Sequence, residues 1–162
     1  MSNPPYLKGF AALFAHAVFL AISINLMTYA GGLIAKLITD VPGSSAMFDM
    51  GIVSYANEIK HRFLGVPNEI LETVGAVSFE TAEAMARGVC EAANADIATA
   101  TTGIAGPGGG TNEKPVGLVY MSIYFKENDR QITKKLNLSG TRDEIRNKTA
   151  DIVLETLLKE IE

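Results

Sequence analysis

Ile97-Ala-Thr-Ala-Thr-Thr-Gly-Ile-Ala-Gly-Pro-Gly-Gly-Gly-Thr-Asn-Glu-Lys-Pro-Val-Gly-Leu-Val-Tyr-Met-Ser-Ile-Tyr-Phe125 reads as two extended runs divided by a glycine-rich loop. Ile97 to Thr102 and Val116 to Phe125 are strands, and the polar turn Lys126-Glu-Asn-Asp-Arg130 joins the second to a further strand at Ile132 to Leu138 as a hairpin. Helices flank these strands on both sides in sequence. Upstream, Ala82, Met85, Ala86, Val89, Cys90 and Ala93 keep to one face of a helix spanning Phe79 to Ala93, with Ser78 as its N-cap and Glu80 and Glu83 near the positive end of its dipole. Downstream, Thr141-Arg-Asp-Glu144 has the spacing of a capping box, and Ile145, Thr149, Ile152, Val153, Leu157 and Ile161 form the inward stripe of the last helix.

The first half of the chain is read by its breaks. Ser2 to Pro5 is a loose terminus, Phe10 to Phe19 a helix, and Leu20 to Thr28 a strand that ends before Gly31-Gly32. Leu33 to Ile38 resumes as a short helix, and Asp40-Val-Pro-Gly43 turns the chain. Ser44 and Ser45 are placed to cap the short helix after it; Gly51 to Tyr55 reads as a buried strand, and Asn57 to Leu64 as a helix stopped by Gly65. Strands and helices mixed in this order predict an α/β protein: a three-layer α/β/α sandwich with a mixed sheet, in a single domain spanning 1–162.

At 162 residues, with 48% hydrophobic and 20% charged side chains, the chain is long enough for one such core and has a globular composition. A net charge of −4 speaks against a nucleic-acid partner, which favours a basic face. One cysteine, Cys90, cannot form an internal disulfide, so the expected setting is the reducing cytoplasm. No Cys/His spacing suggests a metal; His16 and His61 read as an ordinary buried and an ordinary surface histidine.

From Gly9 to Ala35 the chain carries no Asp, Glu, Lys or Arg. Such a run is either an anchor, which needs about 20 apolar residues, or a buried helix running into a central strand. His16, Ser23 and Asn25 within it, and a lone basic flank at Lys8, favour the buried reading. A membrane partner is therefore not expected.

Two constellations could carry chemistry. Glycines after a strand let the backbone approach a ligand, and their amides can cradle an anion. The run from Gly103 to Pro115 is not a Walker loop, because Lys114 follows Glu113 and precedes Pro115. Nor is it a dinucleotide fingerprint, since Thr111 stands at the third glycine position. It is a ligand loop of another kind or a structural one. In Ser54-Tyr-Ala-Asn-Glu-Ile-Lys60, Lys60 lies about one turn into a helix between Ile59 and Phe63; it is either a solvated surface lysine or a base whose pKa burial lowers.

These motifs, taken with Gly31-Gly-Leu-Ile-Ala, Thr39-Asp-Val-Pro-Gly-Ser-Ser45, Val53-Ser-Tyr-Ala-Asn-Glu-Ile-Lys60, Leu64-Gly-Val-Pro67, Gly75-Ala-Val-Ser78, Glu113-Lys-Pro-Val-Gly117 and Ser139-Gly-Thr-Arg-Asp-Glu-Ile-Arg146, resemble the CinA C-terminal domain family in order and spacing over about residues 31 to 160. The resemblance implies hydrolysis of the carboxamide of nicotinamide mononucleotide, a small-molecule pyridine nucleotide, to nicotinate mononucleotide and ammonia, within pyridine-nucleotide recycling. It implies no metal or other cofactor and, since the family often self-associates, a homo-oligomer. In the family's Ser/Lys scheme a hydroxyl attacks the amide and a lysine takes its proton. Lys60 matches that lysine and Tyr55 the nearby tyrosine. Gly31, Gly32, Thr102, Gly103, Gly106, Gly108, Gly109, Gly110 and Arg142 would lie against the substrate.

One segment departs from the pattern. Where the family reads Glu-Ser-Cys-Thr before Gly-Gly, this chain reads Met27-Thr28-Tyr29-Ala30, and the matching pattern begins abruptly at Gly31. A shifted reading frame upstream, or a divergent paralogue, would each produce that boundary. Thr28 keeps a hydroxyl at the nucleophile position, but its methyl group restricts χ1 and crowds the line of attack. A misplacement of about 1 Å can lower a rate on the order of 10²-fold, so the expected turnover is weakened. The alternative is a catalytically silent nucleotide-binding or regulatory homologue.

Overall fold

β2 (Ile97–Gly103), β3 (Leu118–Phe125) and β4 (Arg130–Asn137) form an antiparallel meander, and β1 (Ile22–Ile24) pairs parallel to β2 along its other edge. The structure, a computed structural model, describes residues 22–24 and 32–161. The sheet is mixed, as the order of strands and helices predicts. Its register opposes Ile97 to Phe125, Thr99 to Ile123 and Thr101 to Met121, so these residues share one face, while Ala98 opposite Tyr124 and Ala100 opposite Ser122 share the other.

Each face carries its own helices. Ile97, Met121, Ile123 and Phe125 pack with Ile34 and Ile38 of α1 (Leu33–Thr39) and with Ala150, Val153, Leu154 and Leu157 of the final helix, α5 (Arg142–Ile161). On the opposite face the small side chains of Ala98 and Ala100 admit Met85, Ala86, Val89 and Cys90 of α4 (Phe79–Ala93), with Leu64 of α2 (Asn57–Leu64) and Leu71 of α3 (Asn68–Thr73) behind them. Helices above and below a mixed sheet make the three-layer α/β/α arrangement. Met85, Leu64 and Ile34 are completely enclosed, each contributing about 1.5–3 kcal/mol of apolar burial.

The caps behave as their chemistry requires. Ser78 Oγ accepts from Thr81 N at the head of α4, and Thr141 N donates to Glu144 Oε2 while Glu144 N donates to Thr141 Oγ1 at the head of α5. β4 lies at an edge and alternates polar side chains. Its Gln131 and Thr133 fasten it to α4, Gln131 donating to Glu83 O and Thr133 to Glu83 Oε1.

Two expectations need correction, and one element was not foreseen. Gly51 to Tyr55 joins no strand ladder; Val53 and Tyr55 are exposed and Ser54 is the buried residue. The short helix after the turn is a 3-10 turn, Ser44–Ala46, that begins at Ser44 itself, with Gly43 at its cap and no side-chain capping bond. The connection between α2 and α4 contains a helix, α3, too short for periodicity to reveal. The expected helix from Phe10 to Phe19 lies outside the described residues. Among the described residues no helix is long and apolar enough to cross a membrane.

Candidate active site

α2 presents two residues inward, Lys60 and Leu64, four apart on one face. Leu64 meets α4 where Gly88 has no side chain: a Cβ there would stand 1.8 Å from Leu64 O. This close approach of backbone to helix draws the inner face of α2 into the core and takes Lys60 with it. Lys60 is 1% exposed, the largest fully buried side chain among the described residues. Its Nζ donates to Tyr55 O at 2.9 Å, and among the described residues it meets no carboxylate. Burial therefore pushes its pKa below the ordinary lysine value of 10.5, because among the described residues no charge offsets desolvation of the ammonium. Such an amine can exchange a proton with a neighbouring hydroxyl. Tyr55, in contrast, is 61% exposed, and what it supplies to Lys60 is its carbonyl.

The glycine loop stands on the end of β2. Ile104 and Gly117 close its base, Gly117 N donating to Ile104 O at 2.8 Å. Gly106 has φ +78, and a Cβ there would lie 2.6 Å from Val116 Cγ1, while one on Gly110 would lie 2.8 Å from Val116 N. These two glycines are thus required by packing. Gly108 has nothing within 4 Å of its Cβ position, and Gly108, Gly109 and Gly110 are exposed. Gly103, at the base, is partly buried as the last residue of β2.

Arg142 opens α5 and donates Nη1–H to Gly106 O at 2.9 Å, which ties that helix to the loop. One of the five guanidinium N–H donors is used in this bond. Thr102 is buried and donates to Ala76 O at 2.5 Å, so its hydroxyl braces the connection between α3 and α4. Gly32, with φ +85, is the N-cap of α1, and among the described residues nothing lies within 4 Å of its Cβ position. Thr28 and Gly31 lie outside the described residues.

Sequence reading missed the hub that receives these braces. Val74 O accepts from Lys114 Nζ, Gly75 O from the Ser78 and Thr81 hydroxyls, and Ala76 O from Thr102. The residue types gave little warning, since the acceptors are all backbone. The one usable signal was Lys114, a cation inside a glycine loop that fits no Walker pattern.

Comparison with known proteins places both the sequence and the fold. A CinA-like protein of Geobacter sulfurreducens is 51% identical over 131 residues, 81% of this chain and 31% of the relative. The chain spans about a third of the length of several relatives it matches. A protein of Enterobacter agglomerans named nicotinamide-nucleotide amidohydrolase PncC is 50% identical over 130 residues, 80% of this chain and 79% of that one. The crystal structure of competence/damage inducible protein CihA from Agrobacterium tumefaciens superposes with a TM-score of 0.91 at 39% identity, covering 100% of both chains. Residues 27–161 match the profile described as the CinA C-terminal domain, from the altered motif to the end of α5. On that match, which covers most of its length, the chain belongs to the CinA C-terminal domain family.

Proposed function

We propose that this chain hydrolyses the carboxamide of nicotinamide mononucleotide, releasing ammonia and nicotinate mononucleotide. The observation that carries the reading is Lys60, a buried lysine with only a carbonyl partner among the described residues and a pKa lowered by burial. The similarity to the Enterobacter agglomerans amidohydrolase supplies the substrate class. In this scheme neutral Lys60 takes the proton of the Thr28 hydroxyl as its oxygen bonds to the amide carbon. The lysine ammonium then gives a proton to the departing nitrogen, and ammonia leaves an acyl-enzyme ester. Water, deprotonated by the same amine, attacks the ester and restores Thr28. The open glycines of the loop and Arg142 hold the phosphate, and Gly31 and Gly32 lie against the reacting end.

Ammonia release from nicotinamide mononucleotide by the purified chain, beside a Lys60→Ala variant, tests this. A general base contributes about 10²–10⁴-fold, so the variant loses at least 10²-fold in kcat. Release that survives the substitution removes Lys60 from the mechanism. The second reading, a silent homologue that binds the nucleotide without turnover, draws on Met27-Thr28-Tyr29-Ala30 in place of the family's serine motif. Turnover that is zero in the native chain and appears in Thr28→Ser favours that reading.

A further inference from the structure

The loop from Ala105 to Val116 is braced on each limb by a cation that has no carboxylate partner among the described residues. On the first limb Arg142 donates to Gly106 O. On the second Lys114 reaches across to the connection between α3 and α4 and donates Nζ–H to Val74 O at 2.6 Å. Among the described residues neither cation forms an ion pair. Lys114 also closes the turn that follows Gly110: Thr111 N donates to Lys114 O at 2.9 Å, and Lys114 N to Thr111 Oγ1 at 3.0 Å. Gly106 and Gly110 are fixed by Val116, and the exposed tip at Gly108 has open space.

Two cations outside any ion pair among the described residues, flanking a run of exposed glycines, favour an anion. Each cation is bound to a carbonyl, so its charge stays available to the loop while its side chain is held still. We propose that Lys114 is a positioning residue for a phosphate monoester: its tether to Val74 sets the second limb of the glycine loop, as Arg142 sets the first. The proposal rests on the reading of this loop as the nucleotide subsite and adds to it a residue that acts through the loop.

The test is calorimetric binding, which does not depend on turnover. The native chain, Lys114→Met and Lys114→Arg are titrated with nicotinamide mononucleotide, with nicotinamide riboside, which lacks the phosphate, and with inorganic phosphate. Lys114→Met is expected to weaken the mononucleotide on the order of tenfold, the contribution of one hydrogen bond from a charged donor, and to leave the riboside unchanged. Lys114→Arg restores most of the affinity, and the melting temperatures of all three proteins agree. Equal losses for mononucleotide and riboside, no loss in Lys114→Met, or no rescue by arginine would each overturn the proposal. If the native chain binds phosphate but not the mononucleotide, and Lys114→Met loses phosphate, the amidase reading fails and the role of Lys114 stands. If the native chain binds neither, both fail.

Discussion

Lys60 keeps an amine where water does not reach it, and that has a thermodynamic signature separate from catalysis. Its pKa is lowered in the folded state by desolvation, while the unfolded chain retains the ordinary value near 10.5. Between the two, the unfolded state binds more protons than the folded one, so the lysine's contribution to stability rises with pH across that window. Below the folded pKa both states carry the proton and the native state bears the full penalty of a buried charge. Lys60→Met keeps the length of the stem and removes the titration. Urea midpoints of the two proteins, compared from neutral pH toward 10.5, are expected to shift in favour of the native chain as pH climbs. A difference that stays flat over the whole range would mean that the ammonium is not desolvated.

Among the elements, the contact between α2 and α4 decides where that lysine stands. An exposed helical glycine replaced by alanine gains about 1 kcal/mol in helix propensity. At Gly88 the sign reverses, because the added Cβ would sit 1.8 Å from the backbone carbonyl of Leu64, which no rotamer change relieves. Gly88→Ala is expected to lose about 1–3 kcal/mol, the usual range for overpacking, and to lower any turnover that depends on Lys60, since α2 must move outward. Chemical denaturation reads the first effect; a raised midpoint would show that the helices do not touch there. None of this closeness is written in the periodicity of α4, where Gly88 is one small residue among several. The elements that sequence did reveal are those with a local cause: the Ser78 and Thr141 caps, the Gly65 stop, and the alternation around the hairpin turn at 126–129. Gly51 to Tyr55 misled because strand-like composition does not supply a partner strand, and its inward residue is Ser54 instead of Val53 or Tyr55. Lys60 and the glycine loop were legible as candidates, whereas the backbone carbonyls that hold Lys60, Lys114 and Arg142 were not, because a carbonyl looks the same at every residue.

For the whole molecule the open question posed by the sequence is the uncharged run from Gly9 to Ala35, which has the length of a membrane span. β1 divides it. Ile22, Ser23 and Ile24 pair in parallel with Ile97, Ala98 and Thr99, so these three residues belong to a sheet whose other strands carry helices on both faces, and α1 puts Ile34 and Ile38 into the core with α5. A segment committed to that ladder cannot also lie within a helix in lipid. The uncharged residues before β1 number about 13, roughly 20 Å as a helix, against about 30 Å of hydrocarbon. The described parts of the run, β1 and the start of α1, are a strand and a helix of the sandwich, where uncharged sequence is at home. Phase separation in a cloud-point detergent, applied to the full chain, is expected to leave it in the aqueous phase. Recovery in the detergent phase would require β1 to leave the sheet, and a Ser23→Asp variant separates the cases. Next to β2 the added charge lowers the melting temperature, whereas in a membrane-bound segment it would release the chain to the aqueous phase without changing the melting of the sandwich.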